Sequence, residues 1–208
     1  MFSFFCKKDK GQIFWEWFVN NKTQLEKMID NLGTENNDLT FFRDTTEKLK
    51  EFDPALYAEF TYNKETGNYV IVITPNGIRN GIEPTEKIVS CAPVIPRWEV
   101  RKYRKPTNDR VEIKFQGISL QYDDFKVLRE YDKESHKMHI ALLMKEFDPM
   151  DERYGHLGFL ALDHYVGEYN VMTCIGGIDF ASIDDLEPNA ETIDLFTLRQ
   201  EIEKIFYG

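Results

Sequence analysis

Little in this sequence is equipped for covalent or metal chemistry. The 208-residue chain has three cysteines, Cys6, Cys91 and Cys174. Their number is odd, they are widely scattered and no two form a CxxC pair, so neither a disulfide framework nor a zinc site is expected. Cations are outnumbered, with 26 Lys and Arg against 36 Asp and Glu and a formal net charge of −10. General nucleic-acid binding, which draws its affinity from clustered Lys and Arg, is thereby disfavoured. No apolar run approaches the roughly 20 residues of a membrane-spanning helix, so stable membrane insertion is not expected. The first six residues are apolar but too few for the core of a signal peptide, and Lys7, Lys8 and Lys10 follow at once. A frayed terminus on a cytoplasmic protein is the expectation. Reaction motifs are missing as well. Gly117-Ile-Ser119-Leu lacks the second glycine of a nucleophile elbow, and the acidic run 179–187 lacks the ligand order and central glycine of a calcium loop. No cofactor and no metal are expected.

What is present is ample material for a core: 42% of residues are hydrophobic and 14% aromatic, enough for one large domain or two small ones. Ile13, Phe14, Trp17, Phe18, Leu25, Met28 and Ile29 share one broad helical stripe, which predicts a docking helix over 13–29. A second helix is predicted over 41–52, ending before Pro54. The period then changes to two. Residues 56–62 and 70–74 alternate or are β-branched and should form a hairpin. Pro84 opens a helix running to Ala92, and 98–103 reads as a third strand.

The same order recurs downstream. Residues 126–131 and 138–144 read as strands about a polar turn, 151–166 as a helix closed by Gly167, and a last strand opens at Tyr169. The first turn, Tyr62-Asn-Lys-Glu-Thr66, is echoed by Tyr131-Asp-Lys-Glu-Ser135, 69 residues later, and the predicted last strands start 71 apart, at 98 and 169. Gly176 and Gly177 lie inside that last strand, where a bulge or a close backbone approach is the ordinary meaning. The expectation is an α+β fold of two ββαβ units with mainly antiparallel sheet, flanked by N-terminal helices and a C-terminal helix. The boundaries read are a helical segment 1–53, a first unit 54–105, a connecting hairpin or edge strand 106–125, a second unit 126–181, and a linker with a closing helix 182–208, together one compact entity.

All four histidines, His136, His139, His156 and His164, fall in the second unit. On the predicted helix 151–166, His156, Asp163 and His164 occupy one narrow side, with Glu168 just beyond its end. A carboxylate beside an imidazole can orient a general base. The competing reading makes this stripe the helix's solvent face, and histidines eight apart, about 12 Å along the axis, suit one metal poorly. A second candidate set is Trp98 with Arg101 and Arg104, inside a segment, 97–114, with a local balance of +4. It either meets a small anion or partner, or guards a strand edge with cations.

Three stretches, Phe14-Trp-Glu-Trp-Phe18, Glu86-Lys-Ile-Val-Ser-Cys-Ala-Pro93 with Pro96-Arg-Trp-Glu-Val100, and Gly158-Phe-Leu-Ala-Leu-Asp163 with Gly167-Glu-Tyr-Asn-Val171, resemble a group of uncharacterised bacterial proteins. The resemblance implies a cytoplasmic bacterial domain and carries no activity or catalytic residue. Three functional expectations result. The first is a binding or accessory protein that neutralises another protein in the manner of an immunity protein. The second is a small hydrolase or metal-assisted enzyme using His156, Asp163, His164 and Glu168. The third is a small-anion sensor at the seam between units, using Trp98, Arg101 and Arg104. An exposed edge strand would permit a dimer.

Overall fold

The computed structural model describes residues 9–32 and 39–208. The chain divides into two units, one ending at Tyr103 and one running from Arg104 to Gly208, each with its own apolar core. Cys6, Lys7 and Lys8 lie outside the described residues. The fold is mixed α+β, with three small, mostly antiparallel sheets, helices at the start and a helix at the end.

The first unit opens with α1 (Lys10–Asp30) and α2 (Thr40–Lys50). Strands β1 (Tyr57–Asn63) and β2 (Asn68–Thr74) form an antiparallel hairpin; α3 (Ile82–Ser90) then crosses to β3 (Trp98–Lys102), which lies parallel to β2. The β-branched inner face of β2, Ile71 and Ile73, packs with Phe14, Trp15, Phe18, Leu25, Leu49 and Ile88. Trp15 is buried on the core face of α1, whereas Ile13, which periodicity assigns to that face, is 42% exposed. The reason is tertiary: the indole N–H of Trp15 donates to the Ile88 carbonyl on α3 at 2.8 Å, and a buried indole needs such an acceptor.

In the second unit, residues 104–112 have no regular structure. A hairpin of β4 (Ile113–Phe115) and β5 (Ile118–Leu120) follows, turning on Gln116 and Gly117, both with positive φ; two left-handed residues match the twist of the strands. Strands β6 (Phe125–Asp132) and β7 (Lys137–Met144) pair antiparallel. The chain then runs through α4 (Glu152–Leu162), a single π turn (Asp163–Gly167) and α5 (Glu168–Cys174) to β8 (Ile175–Ser182), parallel to β7. The closing helix α6 (Leu195–Phe206) starts at Asp194, whose carboxylate caps the Thr197 N–H, and buries Leu195, Leu198 and Ile202.

Both units therefore have the order strand, strand, helix, strand, with one antiparallel and one parallel pairing. The two hairpins match in detail. Asn63 and Asp132 each accept from the backbone two residues on, at 3.1 and 2.9 Å, and Gly67 and His136, 69 apart, both have positive φ. Tyr69 and Met138, again 69 apart, pair with the first residues of the third strands, Trp98 and Ile175. Those residues are 77 apart, not the 71 expected from sequence, because the last strand opens at Ile175 and not at Tyr169. Gly167 has a positive φ of 96° but a ψ of 133°, so it is not the left-handed helical cap expected from sequence. The helix restarts behind it, since Val171, Met172 and Cys174 have their own buried face. The second unit thus spends seven more residues than the first between its second and third strands, and the π turn lies within that crossover.

Gly176 sits at a bulge: Met138 pairs with Ile175 but His139 with Gly177. A Cβ on Gly177 would lie 2.9 Å from His139 Nδ1, so the glycines let this ring rest on the backbone of β8.

Candidate functional site

The polar stripe of the second unit is exposed at His156 and covered toward its far end, at Asp163 and Glu168. Helix α4 buries Tyr154, Leu157, Gly158, Ala161 and Leu162, and it sits so close to β8 that a Cβ on Gly158 would come within 2.4 Å of the Phe180 ring. The opposite side, carrying His156, Asp163, His164 and Glu168, is met by residues 104–116, irregular as far as 112 and strand β4 from Ile113.

That segment runs antiparallel to the helix and touches it at each step. Arg104 meets the far end: its guanidinium Nη1 is 2.8 Å from Asp163 Oδ2 and 3.8 Å from Glu168 Oε1. Its own N–H donates to Glu168 Oε2 at 3.0 Å, and its carbonyl accepts from the Glu168 N–H at 3.2 Å. Glu168 is fully buried and Asp163 nearly so. Pro106 packs on Gly167, whose missing Cβ would fall 2.9 Å from its ring. The Thr107 N–H donates to the His164 carbonyl at 2.8 Å, Tyr165 donates its hydroxyl proton to the Val111 carbonyl, and Phe115 stacks on His156 with ring centroids 5.2 Å apart. Last, Arg153 donates to the Gln116 carbonyl at 2.9 Å.

The sequence candidates are redistributed by this arrangement. Asp163 and Glu168 come together, but around Arg104, which belongs to the other candidate set. His156 is exposed, with Nδ1 3.0 Å from the Glu152 carbonyl, and has no bond to Asp163. The Nε2 atom of His164 is buried without a hydrogen-bond partner among the described residues. Burial holds the imidazole below its ordinary value, with the Asp109 carboxylate pulling weakly the other way. Among the described residues no group of three or more His, Cys, Asp or Glu is arranged to hold a metal ion.

In the first unit, Trp98 is a core residue. Its ring meets Phe18 edge-on at 4.9 Å, and its indole N–H donates to Glu26 Oε1 at 2.8 Å. Arg101 is paired with Glu99 through Nε at 3.1 Å and through Nη2. Glu99 accepts from Thr66 as well, and Thr66 followed by Arg101 holds its carboxyl down at about 2. Other cations of the basic segment are also engaged: Lys102 with Glu86, Arg110 with Asp123 and Lys114 with Glu112. Lys102 and Arg110 thus join separate segments, whereas Arg101 and Lys114 pair with acids two residues away in the chain.

A feature without a sequence signal is a groove of ≈ 600 Å³ in the first unit, between α1 and residues 91–96. Trp15, Val19, Pro93, Val94 and Pro96 line it, and Val94 is 99% exposed. The sequence marks Pro93 and Pro96 only as helix breakers. Cys91 also borders the groove and is half-buried, and Cys174 is buried beside the Tyr207 hydroxyl at 3.4 Å; both are free thiols.

The chain matches no protein-family model, no curated protein and no solved structure. Its function is therefore argued from geometry and charge. Among the described residues, no helix is long and apolar enough to cross a membrane.

Proposed function

We propose that this is a non-enzymatic, cytoplasmic accessory protein that binds a basic protein partner, in the manner of a neutralising immunity protein. The observation that carries this reading is the partition of charge. The second unit has 12 Lys and Arg against 21 Asp and Glu, a balance of −9, while the first has 14 against 15, a balance of −1. From Tyr154 to Leu198 there is no Lys or Arg at all. A surface so one-sided in sign steers oppositely charged partners and rejects acidic ones. The use of Asp163 and Glu168 to seat Arg104 further supports a binding role, since it leaves the stripe's carboxylates engaged in structure.

The matched hairpins, with their 69-residue offset and equivalent turn bonding, favour an origin by duplication of one ββαβ unit, after which the second copy gained its longer crossover. The bacterial origin implied by the sequence resemblance belongs to the same reading.

The test is affinity capture with the full chain from lysates of its source organism, followed by titration calorimetry on each recovered protein at several salt concentrations. A basic partner whose affinity falls steeply as salt rises is expected. Recovery of the chain alone, or of a partner whose binding is indifferent to salt, would overturn the proposal.

A further inference from the structure

We propose that residues 104–112 are a pH-sensitive strap, latched along the π turn and the start of α5 while the His164 imidazole is neutral and released when that ring takes up a proton. The geometry begins with an imbalance. His164 Nε2 is buried and has no hydrogen-bond partner among the described residues. A neutral ring tolerates this, but a protonated one would place a charged donor where no described residue accepts from it, which is far less favourable.

The charged and titratable groups around the ring do not remedy this. Asp109, on the strap itself, is the acid whose attraction reaches His164. Asp163 and Glu168 lie on the same helical run but are held by Arg104. On α6, Arg199 donates to the Thr107 carbonyl at 3.0 Å and to Asn108 Oδ1 at 2.6 Å, and its Nε lies 3.8 Å from Glu203. Arg110 is paired with Asp123 and lies over the Tyr122 ring. Tyr165 meets His164 edge-on at 5.1 Å and gives its proton to Val111.

When the ring is protonated, the side that yields is the strap. Leu162, Tyr165 and Val166 on the helical side are fully buried in the core. Residues 104–112 have no ladder of their own and are held by separate contacts: the Arg104 guanidinium with Asp163 and Glu168, backbone bonds of Arg104 and Thr107 to Glu168 and His164, Tyr165 to the Val111 carbonyl, and Arg199 to Thr107 and Asn108. Segments held this way open at lower free energy than the core they cover.

The sign follows from linkage. In the open strap His164 returns toward the ordinary histidine value of about 6.5, and in the latched state it lies lower. The latch is therefore complete above about pH 6.5, and the ratio of open to closed rises as pH falls, by up to about tenfold per pH unit between the two values.

The experiment is amide hydrogen exchange on the full chain at pH 7.5 and 5.5, corrected for the intrinsic pH dependence of exchange, reading Thr107 and Glu168. Protection at both should fall by several-fold to about tenfold at pH 5.5. The variant His164→Asn, which cannot titrate, should lose this pH dependence, and His156→Gln should keep it. Equal corrected protection at the two pH values, or unchanged pH dependence in His164→Asn, would overturn the proposal. The wild-type ring is titrated in parallel by nuclear magnetic resonance, so a variant that fails to fold does not end the test. A His164 midpoint at or above 6.5 would likewise refute the latch.

Discussion

Replacing Arg104 by Met removes the guanidinium that sits between Asp163 and Glu168 while keeping most of the side chain's apolar stem. The substitution breaks the 2.8 Å pair with Asp163 and ends the 3.8 Å approach to Glu168, a carboxylate with no exposed surface. Removing one member of a buried ion pair costs about 3–5 kcal/mol, because the remaining charge stays desolvated and uncompensated. The Arg104 side chain is 23% exposed, so water already screens part of the interaction and the lower end is expected, about 2–4 kcal/mol. The backbone bonds between residues 104 and 168 survive the substitution, so the strap's start remains registered. Urea unfolding followed by circular dichroism measures the destabilisation, urea being chosen because guanidinium salts would screen the pair. The decisive comparison is a double-mutant cycle with Glu168→Gln. If the cost arises from an uncompensated carboxylate, the double variant should be destabilised by less than the sum of the two singles, with a coupling of about 1–3 kcal/mol. An Arg104→Met variant within about 0.5 kcal/mol of wild type, or strictly additive effects, would refute the assignment of Arg104 as the charge that seats Asp163 and Glu168.

Two glycines on α4 should respond in opposite directions to the same change. Gly158→Ala pushes a methyl to within 2.4 Å of the Phe180 ring and should destabilise by about 1–3 kcal/mol of overpacking, less the helix-propensity gain. Gly155→Ala meets nothing within 4 Å and should stabilise by up to about 1 kcal/mol, both read from thermal or urea midpoints. Glu99, held at about 2 by Thr66 and Arg101, has a folded value below its ordinary one. Its contribution is therefore fully present above about pH 4.5 and is lost as pH falls toward 2. After allowance for its partial exposure, Glu99→Gln should cost about 1–2 kcal/mol at pH 7 and close to nothing near pH 2, measured by unfolding across that range.

The hairpins were the most legible part of the chain. Alternation over 56–62, the β-branched run of β2 and the Asn63 and Asp132 turns all act within a few residues, and strand pairing between near neighbours follows from them. The bulge at Gly176 was legible for the same local reason. The end of the second crossover was not. Gly167 has the backbone conformation its residue type favours, yet whether a helix stops there depends on what packs beyond it, and the buried faces of Val171 and Cys174 carry the chain onward as α5. The candidate site divides along the same line. That His156, Asp163 and His164 share one side of a helix follows from spacing alone. What covers that side is set by Arg104, 59 positions from Asp163, and by Thr107 and Phe115, and no local signal announces pairings at such separation.

By itself the sequence determined the hairpins, the two ββαβ orders, the acidic balance and the confinement of histidine to the second half, because each depends on residue identity or on spacing within a few turns; it took residues 169–174 for strand where the structure has α5. Only the tertiary structure decided that the basic segment and the polar stripe are partly one object, the strap and its seat. Charges scattered through a sequence acquire meaning when folding sets their distances and burial: Arg104 gains two carboxylates, Trp98 becomes core, and His164 keeps a buried nitrogen with no partner among the described residues.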